Sequence, residues 1–200
     1  MKTKIKDFEF TNDEQLTEYV IPGGVTEIGW CAFEGCTNLK SVTIPNSVTS
    51  IGYFAFWGCT SLKSVTIPDS VTKIGLFAFC RCTGLTSITI PNSVKKIGGA
   101  FRGCTSLTSV TIPDSVMEIG AFSFKVCTSL QSITIPDSVT EIGDSAFEGC
   151  TGLKSVTIPD SVTKIGKAAF SGCTSLQSVT IPRGCRYDDA FDDTTKVFVR

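Results

Sequence analysis

The amino-acid sequence predicts an α/β solenoid rich in β-strand, built from about eight rungs of 23 residues. Two observations lead to this prediction. All eight prolines of the 200-residue chain follow isoleucine, and they recur every 23 residues, except for one interval of 22 between Pro91 and Pro113. Seven cysteines, from Cys36 to Cys173, keep the same step. A unit this short cannot bury its own apolar side, so neighbouring copies are expected to stack and share one core.

The third copy shows how each rung is expected to form. Its Ser-Val-Thr-Ile segment alternates polar and apolar residues, which is the periodicity of a strand with Val65 and Ile67 facing the core. Pro68 has no N–H group and ends that strand, and the Asp-Ser that follows is a turn signal. A second short apolar edge leads to Gly75, which reverses the chain. The segment around Phe79 is expected to make one helical or 3₁₀ turn.

These copies resemble the BspA-like (Treponema pallidum type) leucine-rich repeats, whose pattern is LxxLxLPxxLxxIGxxAFxxCxx. The match covers about residues 16 to 186, and the motif recurs seven times. The resemblance implies a leucine-rich-repeat horseshoe or arc with a concave parallel sheet and a convex side of short strands and helical turns. It also implies a binding scaffold, in many members surface-exposed or adhesive, and not an enzyme.

The ends of the repeat array are predicted to be caps. We expect residues 1–21 to form an N-terminal cap with a divergent first strand, residues 22–182 the solenoid, and residues 183–200 a C-terminal cap. After Pro182 the pattern decays, and Val197 begins a segment that is expected to form the last strand. Such caps cover the core and the sheet edges that a solenoid would otherwise leave open.

Composition excludes several function classes. The chain has no histidine, so it has no Ser-His or Cys-His catalytic pair and no zinc site built from imidazole. A net charge of −1 offers no basic footprint for a nucleic acid. No stretch approaches the roughly 18 apolar residues of a membrane span. No catalytic residue, cofactor or metal site is predicted.

The first ten residues bear on localisation. They are rich in lysine and lack the apolar stretch and the small-residue cleavage site of a signal peptide. This predicts a cytoplasmic protein. The alternative is a secreted or cell-surface protein from which a leader has been removed.

Most of the cysteines are predicted to be structural residues of the repeat. The seven that keep the repeat step are expected to be free, small, buried core residues: Cys36, Cys59, Cys82, Cys104, Cys127, Cys150 and Cys173. Rung-to-rung disulfides in an exported protein and a metal cluster are the alternatives. Cys80 lies outside this row, at a position that holds charged residues in other copies. It is therefore expected to be an exposed thiol and a candidate reactive group.

Departures from the repeat predict a partner-binding patch on the convex or lateral side. The position after Ile-Gly holds Asp144 and Lys167 in C-terminal copies, so it faces solvent, yet N-terminal copies fill it with large apolar residues. The predicted patch comprises Trp30, Tyr53, Phe54, Trp57, Leu76 and Phe77. Exposed apolar patches mark interfaces, and Trp and Tyr dominate their binding energy. The expected partner is another protein or a second copy of the chain. The alternative is that these side chains pack on each other and close the grooves between rungs.

The concave face offers a different prediction. Its outward strand positions repeat Ser and Thr with little variation, and the central part comprises Lys63, Ser64, Thr66, Ser87, Thr89, Ser109 and Thr111. A repetitive hydroxyl surface suits a repetitive ligand such as a glycan or another polymer, or an ice lattice. The competing interpretation is that these residues serve strand propensity and solubility.

Overall fold

The computed structural model describes residues 2–200, and within them it contains sixteen short strands, numbered β1 to β16 in chain order, and no helix. The strands form two rows. The outer row contains two-residue strands that end on isoleucine, which is followed by glycine in all of them except β1: β1 (Lys4–Ile5), β3 (Glu27–Ile28), β5 (Ser50–Ile51), β6 (Lys73–Ile74), β8 (Lys96–Ile97), β10 (Glu118–Ile119), β12 (Glu141–Ile142) and β14 (Lys164–Ile165). The Ser/Thr row contains β2 (Glu18–Val20), β4 (Ser41–Thr43), β7 (Ser87–Thr89), β9 (Ser109–Thr111), β11 (Ser132–Thr134), β13 (Ser155–Thr157), β15 (Ser178–Ile181) and β16 (Lys196–Val199). Met1, which belongs to the predicted N-terminal cap, lies outside the described residues.

All strand pairs are parallel, and each joins equivalent residues of neighbouring rungs. The predicted parallel solenoid is thereby confirmed. The outer row makes two four-stranded sheets, β1-β3-β5-β6 and β8-β10-β12-β14. The Ser/Thr row, predicted as one sheet, is divided into the pairs β2-β4, β7-β9, β11-β13 and β15-β16. Residues 62–68 contain no strand, so the strand predicted around Val65 and Ile67 in the third copy is absent, although both side chains are buried as predicted.

The predicted helical turns, and with them the α/β class, are wrong. The Ala-Phe segments are tight turns because each rung has two residues in the left-handed region, for example Phe54 (φ 56°) and Gly58 (φ 71°). Left-handed residues interrupt a right-handed helix. The backbone N–H groups instead reach the next rung: Phe56 donates to Ala78 O at 2.7 Å and Gly58 to Cys80 O at 2.8 Å. The chain is therefore a β-solenoid.

A column of stacked phenylalanine rings forms the centre of the core. The most deeply buried members are Phe33, Phe56, Phe79, Phe101, Phe124, Phe147 and Phe170. Rings of successive rungs lie 5.0 to 5.7 Å apart and nearly parallel. Because every copy contributes one ring at the equivalent position of its rung, the core is continuous along the solenoid.

The predicted burial of the seven repeat cysteines is confirmed. Each thiol has a further role, since it donates a weak hydrogen bond to the carbonyl of the core phenylalanine one rung earlier. Cys59 Sγ lies 3.1 Å from Phe33 O, and Cys82 Sγ lies 3.1 Å from Phe56 O. Burial raises the pKa of Cys36 to about 11.

The copy with 22 residues interrupts the outer row. Gly99 (φ 56°) has the conformation of Phe77 in the preceding copy, so the missing residue is the solvent-facing one after Ile-Gly. Strand β6 does not pair with β8. Within residues 2–200, the N–H groups of Lys95 and Gly98 have no hydrogen-bond acceptor, whereas the equivalent Gly75 donates to Ile51 O at 2.9 Å. One deleted residue therefore separates the outer row into two sheets.

Candidate functional site

Three large apolar side chains project into solvent from successive rungs, next to strands β3, β5 and β6. Trp30, Tyr53 and Leu76 are 49%, 60% and 40% exposed, so the predicted exposure of this column is confirmed. Together they line a groove of about 650 Å³. The column ends at Leu76, because the short copy lacks the residue that would continue it. Leu76 leans over Gly99, where an added Cβ would lie 2.9 Å from Leu76 Cδ1.

The other three residues of the predicted patch line a second concavity. Phe54 and Phe77 are half-buried, and their ring centroids lie 5.4 Å apart. Trp57 is also half-buried. The hollow has a volume of about 180 Å³ and is lined by Phe54, Trp57, Phe77, Cys80, Arg81 and Arg102. The six predicted residues thus lie in two concavities: three are well exposed, and two of the others pack on each other.

Cys80 contradicts the sequence prediction, because its side chain is only 4% exposed. Longer side chains at this position in other copies carry their charged groups past their neighbours to water. Trp57 and Arg102 occupy the equivalent position in the two adjacent copies and line the same hollow as the short cysteine side chain. Burial raises the pKa of the Cys80 thiol, although the charges of Arg102 and Arg81 act in the opposite direction. The interpretation of Cys80 as an exposed, reactive thiol is therefore wrong.

Two left-handed residues, one beside the patch and one two copies further on, were not among the residues predicted from the sequence. Arg81 and Val126 occupy the position before the repeat cysteine, which is glycine in five other copies. Both are left-handed, with φ of 59° and 62°. A side chain in this conformation costs roughly 1–2 kcal/mol. The signal was present in the sequence, since these are the two copies in which Gly-Cys becomes Arg-Cys and Val-Cys.

Several charges around the two concavities are paired. Lys4 contacts Glu27 at 2.9 Å and Asp7 at 3.2 Å. The backbone N–H of Trp30 donates to Asp7 Oδ1 at 2.9 Å and, with Lys4, lowers the pKa of that carboxyl. Beyond the short copy, Lys96 pairs with Glu118.

Four cations beside the aromatic residues have no such partner. Among residues 2–200, Lys73, Lys95, Arg81 and Arg102 make no ion pair. Both lysines line the larger groove, and both arginines line the smaller hollow. Unpaired lysine and arginine side chains therefore border both the groove and the hollow, an arrangement that complements an acidic surface.

Comparison with known protein families identifies the repeat. The BspA type leucine-rich repeat region matches residues 3–100 and 98–197, in six copies. The chain belongs to the BspA-type leucine-rich repeat family. Proteins of this kind are generally interaction or adhesion scaffolds, and they are typically not enzymes.

Solved structures of leucine-rich repeat proteins are similar to this chain. The T. pallidum leucine-rich repeat protein is 31% identical, with a TM-score of 0.68 over 87% of this chain and 71% of that chain. A leucine-rich repeat protein from Eubacterium ventriosum is 34% identical, with a TM-score of 0.72 over 78% of this chain and 42% of that chain. One from Bacteroides ovatus is 30% identical, with a TM-score of 0.52 over 92% and 66%. A comparison with curated protein sequences finds no match.

The Ser/Thr face of this leucine-rich repeat array presents the predicted hydroxyl groups to solvent. Ser87 and Thr89 are exposed in β7, and Ser109 and Thr111 are exposed in β9. Lys63, Ser64 and Thr66 are also exposed but belong to no strand. Glycan or polymer binding there stays a prediction.

Two further features bear on ligands and membranes. Among residues 2–200, no three His, Cys, Asp or Glu side chains converge in an arrangement that could hold a metal ion. Over the same range, the leucine-rich repeat chain contains no helix of the length and apolarity that crossing a bilayer requires.

Proposed function

We propose that this chain is a non-enzymatic interaction module that binds a protein partner, or a second copy of itself, through Trp30, Tyr53 and Leu76. One observation supports the proposal most: three successive rungs expose large apolar side chains where C-terminal rungs carry charge at Asp144 and Lys167. The N-terminal half of the array therefore carries the proposed site, and the C-terminal half has the same backbone position without the apolar side chains, so it serves as a control. Large exposed apolar side chains in a shared groove are typical of interface anchors.

The test places a photo-cross-linker at the groove. Tyr53→p-benzoylphenylalanine puts the reactive ketone in the centre of the apolar column, and Asp144→p-benzoylphenylalanine puts it at the same position four copies further on. Irradiation in cells, followed by mass spectrometry, identifies either a second copy or another protein. We expect a specific cross-link at position 53 and none at position 144. Cross-linking at neither position, or equally at both, contradicts the proposal.

A second measurement examines self-association directly. If the partner is a second copy, sedimentation equilibrium shows a concentration-dependent dimer, and Tyr53→Asp abolishes it. The matched control is Asp144→Lys, which changes charge in the same column away from the groove. A dimer that survives Tyr53→Asp contradicts the assignment of this surface to self-association.

A further inference from the structure

The smaller hollow differs in character from the apolar groove beside it. Its walls are the rings of Phe54, Phe77 and Trp57, and Cys80 is part of its buried lining. At about 180 Å³ it has room for one side chain, and not for a folded segment. Both of its charged groups are guanidinium groups. An apolar enclosure with convergent cations selects a ligand that has a short aliphatic part and an anionic end.

Arg81 is held at this hollow at a conformational cost. Its φ of 59° is a conformation that glycine adopts freely, and glycine occupies this position in five other copies. The stem packs against Gly103, where an added Cβ would lie 3.4 Å from Arg81 Cγ. The guanidinium carbon lies 5.4 Å from the ring centroid of Trp57. Stacking on an aromatic face orients the planar fork of the guanidinium. Strained residues of this kind cluster at functional sites.

Arg102 supplies the second charge from the next rung. The backbone joins the two residues directly, since Arg81 N–H donates to Arg102 O at 2.7 Å. The guanidinium carbon of Arg102 lies 6.0 Å from the ring centroid of Phe122. One rung further, Lys125 occupies the equivalent position and meets Glu148 at 2.7 Å. Within residues 2–200, no carboxylate forms an ion pair with Arg81 or Arg102. The charge of Arg102 makes a minor contribution to lowering the pKa of Glu148, whose main partner is Lys125.

The thiol in the lining does not take the place of a carboxylate. Burial raises the pKa of Cys80, so the group is a neutral thiol at physiological pH. Arg81 and Arg102 line the same hollow as Cys80, and their positive charges oppose the rise in the pKa of the thiol. The hollow therefore lacks a negative charge of its own.

We propose that this hollow binds the carboxylate of a glutamate or aspartate side chain from an acidic peptide segment, with Arg81 and Arg102 as donors. The rings of Phe54, Trp57 and Phe77 pack on the methylene groups of that side chain. Guanidinium forks match carboxylates in bidentate geometry, which is the strongest hydrogen-bonded pair available here. The inference rests on the proposed function, because the acidic segment belongs to the partner that contacts the neighbouring apolar groove.

The experiment uses a small probe and one informative substitution. N-acetylglutamate amide is titrated into the isotopically labelled protein, and the indole N–H signal of Trp57 and the Nε–H signal of Arg81 are followed by NMR. N-acetylglutamine amide serves as the neutral analogue of the same size. We expect saturable shifts with the glutamate probe only, weakening as salt is added.

Arg81→Gly removes the guanidinium and restores the residue that this position has in five other copies, so this variant is expected to fold at least as well as the natural chain. Binding of the glutamate probe should weaken at least tenfold. Val126→Gly is the matched control, because it makes the same change of backbone freedom two copies further on and leaves the hollow intact. It should bind the probe as the unsubstituted protein does.

Three outcomes overturn the inference. They are glutamate binding that survives Arg81→Gly, glutamine analogue shifts as large as those of glutamate, and tighter binding of inorganic phosphate than of glutamate. The Tyr53→Asp variant separates this inference from the proposed function. It should abolish partner binding through the groove while the glutamate probe still binds. Glutamate binding without any cross-link at position 53 contradicts the proposed function alone, and a cross-link without glutamate binding contradicts this inference alone.

Discussion

Replacing Gly75 or Gly98 by alanine is expected to have opposite effects on stability, although both glycines follow Ile in equivalent positions of adjacent copies. At Gly75 the new Cβ would lie 2.5 Å from Gly52 C and 2.5 Å from Tyr53 N, both backbone atoms that cannot rotate away. At Gly98 its nearest neighbour would be Leu76 Cδ1 at 3.9 Å, an ordinary contact. The difference arises because β5 and β6 are paired, whereas β6 and β8 are not.

The magnitudes follow from these distances. Gly75→Ala forces two rungs apart, which costs roughly 1–3 kcal/mol in overpacking. It also weakens the hydrogen bond from Gly75 N–H to Ile51 O, worth about 1 kcal/mol. Gly98→Ala removes freedom from the unfolded chain at no steric cost and should stabilise by roughly 0.4–1 kcal/mol. For a chain of this length each kcal/mol shifts Tm by about 2–4 °C.

Thermal and urea unfolding of the two variants, followed by circular dichroism, provide the measurement. Tm is expected to fall by roughly 5–15 °C for Gly75→Ala and to rise by roughly 1–4 °C for Gly98→Ala. Gly52→Ala, which meets Gly29 C at 2.7 Å, is the positive control for crowding. Equal losses of Tm for the substitutions at 75 and 98 would refute the reasoning, because they would mean that the outer row is closed at the short copy.

Three further outcomes can be checked on the same protein. Val126→Gly relieves a left-handed valine and should stabilise by about 1 kcal/mol, measured as a rise in the urea midpoint; an unchanged midpoint contradicts the strain. The ordinary thiol pKa is 9.0, and burial raises it to about 11 at Cys36 and about 12 at Cys173, so above pH 9 the unfolded chain loses thiol protons that the folded chain keeps. The free energy of unfolding should therefore fall by up to about 1.4 kcal/mol per pH unit for each thiol between pH 9 and its folded pKa, and equal urea midpoints at pH 8 and pH 10 would contradict this. Iodoacetamide at pH 8 should leave Cys80 unmodified until denaturant is added, and rapid labelling of the native protein would show that the thiol is accessible.

The strand rows and the core could be predicted from the sequence because a repeat reveals its own register. Apolar or aromatic residues recur at the positions of Val65 and Ile67 in every copy, with the alternation of a strand, so the same side of each copy is expected to face the core. The structure buries both, and it buries Phe79 between the rings of its neighbours. The repeat pattern alone was sufficient to predict the burial of these residues, because each copy has one apolar side that only its neighbours can cover.

The turns could not be predicted in the same way. The first left-handed residue, the second one after Ile-Gly, is Phe54 in one copy and Ser145 in another, so no residue type marks its conformation. The second left-handed position is glycine in most copies, and the sequence predicts a helical turn there. The hydrogen bonds that decide between the two structures run to the next rung, and a local pattern does not contain them.

Exposure of single side chains was predicted with mixed success. Trp30 and Tyr53 are exposed because their column points away from the core in every copy. Cys80 is buried because exposure at its position depends on side-chain length and on the neighbours Trp57 and Arg102. The position of a residue within the repeat indicates the direction of its Cα–Cβ bond. The solvent-accessible surface of its side chain also depends on the residues of the adjacent rungs.

The rung-to-rung register has an evolutionary consequence. Thr72 N–H donates to Thr49 O just as Thr49 N–H donates to Thr26 O, and away from the short copy neighbouring rungs are joined by equivalent bonds. Recombination between two equivalent positions that adds or removes one full copy therefore leaves two surfaces that fit each other. Gene variants of this array should differ in length by whole copies. The 22-residue copy creates a boundary between two sheets. Such exchanges could change the number of copies between this boundary and the rungs of Trp30, Tyr53 and Leu76.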